Sequence, residues 1–392
     1  MRQLKIRFKK YNDVWENVKL TETAPIVMGQ SPDSKNYTDN PNDYILVQGN
    51  ADMQNGRVVP RVWTTQITKL AEKGDLILSV RAPVGDIGKT DYNVVLGRGV
   101  AAIKGNEFIF QLLSRMKQFN YWSKLSTGST FESINSSDIK SIEIYLPSQD
   151  EQSAIGSLFR TLDNLLSNYK DNLANYQSLK ATMLSKMFPE AGQTVPEIRL
   201  KGFEGEWVEK CIGELADIVR GASPRPIQDP KWFDSNSEIG WLRISDVTSQ
   251  NGRIHSLGQK ISKLGQEKTR VLGEPHLLLS IAATVGKPVI NYVKTGVHDG
   301  FLIFMNPKFD REFMFQWLEM FREKWNRYGQ PGSQVNLNSD IVKNQKIFIP
   351  SIEEQCAIGS YFSNLDNLIN SYQEKISQLE TLKKKLLQDM FI

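Results

Sequence analysis

The chain has 392 residues, of which 40% are hydrophobic, so it can bury the cores of two or three domains. No stretch reaches the roughly 18 apolar residues of a membrane span, and no apolar core of a signal peptide follows the charged N-terminus. Two cysteines, Cys211 and Cys356, and three separated histidines exclude a disulfide framework and a metal site of ordinary spacing, so we expect a cytoplasmic protein without a metal. The net charge of +4 permits a polyanionic partner without requiring one.

Residues 1–148 have the pattern of a small mixed domain. Short apolar runs at 44–47, 76–80 and 94–96 are separated by turns rich in Gly, Pro, Asn and Asp, which predicts strands. One amphipathic helix is predicted at 108–124. This segment therefore has the pattern of a small twisted sheet with flanking helices.

Residues 149–189 predict a long helix with a coiled-coil seam. Apolar residues recur at alternating steps of three and four over about four and a half heptads. The seam contains Ile155, Phe159, Leu162, Leu166, Tyr169 and Leu173. Lys180 stands where an apolar seam residue belongs, and a polar residue there typically fixes register and orientation.

Residues 190–350 and 351–392 repeat these two parts. The helical segments 146–188 and 349–391 share Glu-Gln-X-Ala-Ile-Gly and Leu-Asp-Asn-Leu, and the globular parts share looser identities such as Asn-Gly-Arg. The second helix has the seam Ile358, Phe362, Leu365, Ile369, Tyr372 and Ile376. Lys383 breaks it at the position of Lys180. The chain is a tandem duplication, since chance does not produce such agreement.

The repeat predicts an α+β fold in which two related α/β domains are separated by two long coiled-coil helices. The helices could each pack only on their own domain. Two seams of equal length and register in one chain favour their pairing with each other.

Motifs of catalytic chemistry are incomplete. Gly88-Lys89-Thr90 lacks the first glycine of a phosphate-binding loop, because Pro83 stands there. Asn306-Pro307-Lys308-Phe309 departs from the Asn-Pro-Pro-aromatic pattern of amino-group DNA methyltransferases, and no glycine-rich loop precedes it. The Glu-X-Lys sequence of many nucleases is absent. We therefore predict no catalytic residue and no cofactor site on this chain.

Basic and polar residues in turn-rich loops indicate DNA binding, since such side chains neutralise phosphates and reach base edges. Each one could also be ordinary surface charge. The candidates in the first domain are Lys35, Arg57, Arg61, Arg81, Lys89, Arg98, Ser129 and Thr130. Those in the second domain are Arg220, Arg225, Arg243, Arg253, Lys287, Ser333, Gln334 and Asn336.

Essentially the whole chain resembles the specificity subunit of type I restriction-modification systems. Each domain opens with a tryptophan (Trp15, Trp207) followed by Gly-X-Ser-Pro, and closes with Leu/Ile-Pro-Ser-X-Asp/Glu-Glu-Gln-X-Ala-Ile-Gly. The junction at 195–207 also fits the family. The duplicated Glu-Gln-X-Ala-Ile-Gly helices make the resemblance specific.

The resemblance implies two target recognition domains, 1–148 and 190–350, and two conserved helices, 149–189 and 351–392, that pair antiparallel as a spacer. Each domain would read one half of a split, asymmetric site in double-stranded DNA. Two methyltransferase subunits, and two restriction subunits where cleavage occurs, would supply adenine-N6 methylation and restriction. S-adenosylmethionine, ATP and Mg would be bound by those partners. A stand-alone DNA modification enzyme and a helical scaffold that binds only proteins are the alternatives.

Overall fold

The computed structural model describes residues 4–125, 133–281, 284–328 and 337–392. The chain forms two compact units. Unit 1 comprises Met1–Asn172 and Tyr372–Ile392, and unit 2 comprises Leu173–Ser371. Each long helix therefore contributes residues to both units.

Unit 1 is a strand-rich domain followed by the first long helix. Its strands are β1 Glu16–Lys19, β2 Ile26–Met28, β3 Tyr37–Thr38, β4 Tyr44–Val47, β5 Met53–Gln54, β6 Arg57–Val58, β7 Trp63–Thr64, β8 Leu70–Ala71, β9 Leu76–Ser79, β10 Ile87–Lys89, β11 Val94–Leu96, β12 Val100–Ile103 and β13 Glu143–Leu146. Its helices are α1 Leu20–Thr23, α2 Glu107–Gln118, α3 Ser136–Lys140 and the start of α4, Gln149–Lys186. The strands form sheets in the orders β2-β12-β9-β10-β6-β5, β3-β7-β4-β11-β8 and β1-β13.

Unit 2 repeats this architecture. Its strands are β14 Val208–Cys211, β15 Asp217–Arg220, β16 Gly240–Leu242, β17 Arg253–Ile254, β18 Arg270–Leu272, β19 Leu277–Ser280, β20 Pro288–Asn291, β21 Thr295–Val297, β22 Phe301–Met305 and β23 Lys346–Ile349. Its helices are α5 Ile212–Leu215, α6 Ile244–Ser249, α7 Lys263–Gln266, α8 Arg311–Phe321, α9 Ser339–Lys343 and the start of α10, Ile352–Asp389. The strands form sheets in the orders β15-β22-β19-β20-β17, β16-β21-β18 and β14-β23.

The globular part differs from the prediction of one small sheet, because each unit has two main sheets and a two-stranded ribbon. The predicted helix 108–124 is also shorter. It ends at Gln118 as α2, and Trp122–Lys124 forms a separate 3-10 turn. Asn120 between them has a positive φ of 54°, which does not continue an α-helix.

The Glu-Gln-X-Ala-Ile-Gly motif fastens the start of α4 to unit 1. Glu151 accepts two hydrogen bonds from Arg7, at 2.8 and 2.7 Å, and one from the Trp15 indole at 3.2 Å. Gln152 bonds to the carbonyl of Pro147 and to Asn106. The residues of the motif thus fix the angle at which the helix leaves the domain.

In unit 2 the same motif attaches the start of α10 to the domain. Glu354 accepts two hydrogen bonds from Arg199, at 2.8 and 2.7 Å. Gln355 bonds to the carbonyl of Pro350 and to the backbone N–H of Asp310.

The core of each unit contains the start of one long helix and the end of the other. In unit 1 the ring of Phe391, after α10, lies 5.8 Å from Phe159 of α4 and 5.1 Å from Phe108 of α2. In unit 2 the ring of Phe188, after α4, lies 6.3 Å from Phe362 of α10 and 5.4 Å from Phe313 of α8. Within each unit the two helices therefore pair antiparallel, and the helix start also packs on its own domain.

The two seam lysines are partnered across the helix pair. Lys180 donates to Asp366 at 2.5 Å in unit 2, and Lys383 donates to Asp163 at 2.5 Å in unit 1. The predicted seam residues around them are buried or half-buried. A charge pair at one level of a helix pair favours a single register, since any slip would separate the lysine from its carboxylate.

Candidate nucleic-acid interface

In unit 1 three backbone segments meet at the turn 97–99 beside the ends of β4 and β9. The N–H of Gly29 donates to the carbonyl of Val100, and the N–H of Val80 donates to that of Gly99, both at 2.9 Å. A Cβ on Gly29 would lie 2.0 Å from the carbonyl oxygen of Gly97. Only glycine permits this approach, so the local sequence determines the shape of the turn.

A polar recess of about 410 Å³ opens at this turn. Its lining consists of Ser31, Gln48, Gly49, Asn50, Ser79, Arg81, Ala82, Arg98 and Gly99. Arg81 and Arg98 are exposed, and neither guanidinium has a carboxylate partner among the described residues. An adjoining recess shares Gln48 and Asn50 and adds Arg61. Two unpaired arginines beside two amide side chains provide the donors and acceptors that read base edges.

Unit 2 has the same backbone arrangement. The N–H of Gly221 donates to the carbonyl of Phe301, and the N–H of Ile281 donates to that of Gly300, both at 2.9 Å. A Cβ on Gly221 would lie 2.1 Å from the carbonyl oxygen of His298. In both repeats the glycine therefore permits the close approach of two backbone segments at the turn.

The side chains at the unit 2 turn are different. Asp299 accepts a hydrogen bond of 2.6 Å from Arg225 and one of 2.8 Å from Ser223. The Arg220 side chain donates to the Asp299 carbonyl at 2.6 Å. Nearby, Arg243 pairs with Asp246 at the first turn of α6.

Burial raises the pKa of Asp299, but the hydrogen bond from Ser223 and the positive charge of Arg225 outweigh it, so this pKa is lowered. Burial lowers the pKa of His298, whose Nδ1 accepts a hydrogen bond from the N–H of Gly300. Above its lowered pKa the ring is neutral, and the positive charge at this surface then comes from arginines.

The structure brings only some of the predicted DNA contacts together. Arg81 and Arg98 share the unit 1 recess with Arg61 beside it, and Arg220 and Arg225 share Asp299 in unit 2. Lys35 is exposed and pairs with Asp33, two residues before it in the same turn. Ser129, Thr130, Ser333, Gln334 and Asn336 lie outside the described residues.

Three predicted contacts are largely buried in ion pairs inside their own unit. Lys89 pairs with Glu107, and Lys287 pairs with Glu319. Arg253, with 15% of its side chain exposed, bonds to Glu312 and Asp366. A structural role suits these cations better than DNA contact. Arg57 remains on the surface, where it pairs with exposed Asp91.

Gln48, Asn50 and Asp299 line these turns but were not predicted from the sequence. The first two have no distinctive motif. Asp299 could have been found by aligning the two repeats at the turn, where Leu-Gly-Arg-Gly of 96–99 corresponds to Val-His-Asp-Gly of 297–300. The shared final glycine and the apolar strand before it are the sequence features that would align the two turns.

No helix within the described ranges is long and apolar enough to cross a membrane. In the same ranges, no three His, Cys, Asp or Glu side chains form a group that could hold a metal ion.

A family model for the type I restriction modification DNA specificity domain matches residues 12–175 and 204–381. The chain belongs to this family. The two matched segments correspond to the two repeats, each with the larger part of the long helix that follows it.

Similar members of the family come from Methanocaldococcus jannaschii. The putative type I restriction enzyme MjaX specificity subunit is 35% identical over 161 residues, 39% of this chain and 37% of that protein. The type I restriction enzyme MjaVIII specificity subunit is 23% identical over 287 residues, 66% of this chain and 64% of that protein. The matches thus span less than two thirds of these relatives.

Two solved structures share the fold. The type I restriction-modification S subunit from M. genitalium has a TM-score of 0.66 at 16% identity, covering 100% of this chain and 99% of that one. A chain from a structure of complex assembly and conformational transition in the type I R-M system has a TM-score of 0.55 at 18% identity, with the same coverage.

Proposed function

We propose that this chain is the non-catalytic, DNA-reading specificity subunit of a type I restriction-modification complex. One observation carries the proposal: two units present the same backbone turn, bounded by Gly29 and Gly221, with different polar side chains upon it. Two domains with the same backbone turn but different polar side chains can each bind the same position on DNA and recognise different bases there. We infer a bipartite, asymmetric target in double-stranded DNA.

The chemistry of the two turns agrees with base recognition. Arginine and amide side chains form bidentate hydrogen bonds with guanine and adenine in the major groove. Unit 1 offers Arg81, Arg98, Gln48 and Asn50, whereas unit 2 offers Arg225 with Asp299. The half-sites are therefore expected to differ in sequence.

The reaction would belong to partner subunits. The proposed assembly holds two methyltransferase subunits, with two restriction subunits for cleavage, and acts on DNA in the cytoplasm. Adenine-N6 methylation would use S-adenosylmethionine on the methyltransferases, and cleavage would use ATP and Mg on the restriction subunits.

Exposed leucines on the long helices support two copies of the methyltransferase. Leu165 and Leu382 are 38% and 44% exposed in unit 1, and Leu368 and Leu179 are 36% and 38% exposed in unit 2. The second pair stands at the same repeat positions as the first. Matched apolar residues on a helix surface suit matched docking of identical partners.

The decisive experiment is co-expression with a candidate methyltransferase subunit, followed by mapping of N6-methyladenine in the host DNA. We expect one split motif, methylated once per strand and absent when this chain is omitted. Methylation that persists without this chain would overturn the proposal. S-adenosylmethionine binding by the purified chain would favour a stand-alone modification enzyme.

The stoichiometry has its own test. Changing Leu165 and Leu382 to serine should remove one methyltransferase copy, and changing Leu368 and Leu179 should remove the other. Native mass spectrometry would then show one methyltransferase per chain for either double variant. Two copies retained in both variants would place the docking surface elsewhere.

A further inference from the structure

One matched position in the two units carries opposite charges. Arg98 of unit 1 and Asp299 of unit 2 both stand directly before the glycine of the turn, Gly99 and Gly300. The backbone N–H of each donates to the hydroxyl of a matched serine, Ser31 at 3.1 Å and Ser223 at 3.2 Å. The backbone of this position therefore makes the same hydrogen bond in both units, whereas its side chain differs in charge.

In unit 1 the side chain at this position is itself a free cation. Arg98 is exposed at the mouth of the recess, and no carboxylate among the described residues neutralises it. Its five N–H donors are therefore available to a ligand, and no side-chain hydrogen bond within the described ranges fixes its rotamer.

In unit 2 the cation comes from another loop and is held by the carboxylate. Arg225 Nη2 donates to Asp299 Oδ2 at 2.6 Å, while 71% of the Arg225 side chain stays exposed. Ser223 donates to the other carboxylate oxygen at 2.8 Å. Asp299 is thus held on one side and orients the guanidinium on the other.

We propose that Arg98 and Arg225 each read a guanine, in the half-site of unit 1 and of unit 2 respectively, and that Asp299 positions Arg225. This inference rests on the proposed DNA-reading function and adds the base and the residue to it. Guanine is the base that fits, because its O6 and N7 acceptors match the paired donors of a guanidinium. Arg98 stands on the turn itself and Arg225 is held against the turn by Asp299, so that both exposed guanidinium groups lie beside polar side chains.

The difference between the two readers has an energetic consequence. Arginine loses rotamer entropy when it binds, and a neighbour that already orients the fork reduces this loss. Asp299 orients Arg225 before DNA arrives, whereas no carboxylate in the described part of the chain does so for Arg98. We therefore expect stronger discrimination for guanine at the position read by unit 2 than at the position read by unit 1.

The test uses the complete complex with its methyltransferase and three variants, R98Q, R225Q and D299N. Wild type is mapped first, so that absence of any methylation motif reports failure of the proposed function rather than of this inference. Affinity is then measured for DNA duplexes in which each base pair of either half-site is replaced in turn. The controls are K104A in unit 1 and K294A in unit 2, two exposed lysines paired with Glu72 and Glu238.

R98Q should lose discrimination at one G·C pair of one half-site and R225Q at one G·C pair of the other, each by roughly 5- to 150-fold, with the larger loss in R225Q. A uniform loss over all duplexes, with a smaller salt dependence, would make these residues phosphate contacts and overturn the proposal. So would discrimination that is unchanged in both variants.

D299N tests positioning separately from reading. Asparagine retains an oxygen for Ser223 but lacks the negative charge that holds Arg225. We expect a smaller loss of discrimination than in R225Q, at the same base pair, with an unchanged melting temperature. Loss at a different base pair would mean that Asp299 reads DNA itself, and loss in both half-sites would mean a general structural role. Either result contradicts the assignment.

Discussion

Units 1 and 2 neutralise a matched carboxylate with different cations. Glu107 lies in the first turn of α2 in unit 1 and Glu312 in the first turn of α8 in unit 2. Lys89 and exposed Arg160 bind Glu107. Arg253 binds Glu312, and its guanidinium also reaches Asp366 of α10 at 3.1 Å.

The repeat makes the contrast sharper. Arg57 and Arg253 follow the same Asn-Gly dipeptide, yet Arg57 pairs with Asp91 at a surface where both side chains are half exposed. Arg253 instead lies over the ring of Phe315 at 4.5 Å. Matched sequence positions therefore differ in energetic role, because burial and not residue type determines what an ion pair contributes.

The largest expected effect comes from removing each arginine. R253A leaves Glu312 and Asp366 without their shared cation in a largely buried site, which should cost about 3 to 5 kcal/mol in the free energy of unfolding. R57A breaks an exposed pair and should cost about 0 to 1 kcal/mol. Urea denaturation followed by tryptophan fluorescence would measure both.

Equal effects of R253A and R57A would show that the two cations are equivalent despite their burial. A conservative variant, R253K, separates charge from geometry. Lysine keeps the charge but not the planar fork that reaches two carboxylates and a tyrosine hydroxyl, so it should recover only part of the loss.

The helical part of the fold can be predicted from the spacing of apolar residues in the sequence. The seam, the start of each long helix after Pro147 and Pro350, and the polar breaks at Lys180 and Lys383 are all periodic or local features, and the sequence predicts them. The acceptors of those lysines, Asp366 and Asp163, could not be assigned, because they depend on the direction in which the helices pair.

The globular half is less predictable. Strands such as β5 and β6 have two residues each, too few to establish an alternation of apolar and polar side chains. The inward direction of Arg253 depends on Glu312 and Asp366, which are distant in sequence. Of the candidate interface, the loop arginines could be predicted, whereas the Asp299 contact with Arg225 required the folded turn.

The two seam lysines offer a second, smaller comparison. Among the described residues, Asp366 keeps Arg253 and Gln316 as partners when Lys180 is removed, whereas Asp163 keeps Gln111 alone when Lys383 is removed. K383M should therefore cost about 1 kcal/mol, because Asp163 loses its ion-pair partner but keeps 30% of its side chain in contact with solvent, and K180M should cost less. The free energy of unfolding from urea titration would measure the difference.

A control for this pair is K384M, since Lys384 is the exposed neighbour of Lys383 on α10. It should leave stability within about 0.5 kcal/mol of wild type. K180M as destabilising as K383M would mean that Arg253 does not compensate for the lost lysine.

The smallest expected effect is a pH dependence of the free energy of unfolding that comes from Glu107 in unit 1. Burial raises the pKa of Glu107, but hydrogen bonds from Lys89, Gln111 and Arg160 and the charge of Lys89 outweigh it, so the pKa is lowered. A carboxylate with a lowered pKa stabilises the folded state above its ordinary value of about 4.3, and this stabilisation is lost as the pH falls through the lower folded value.

E107Q removes this titration. The difference in free energy of unfolding between wild type and E107Q should therefore be constant from pH 7 down to about pH 5 and should narrow below about pH 4. Urea midpoints measured at pH 7, 5, 4 and 3 would test it. A difference that widens as the pH falls would mean that Glu107 is protonated more readily in the folded state, and that Lys89 and Arg160 do not outweigh its burial.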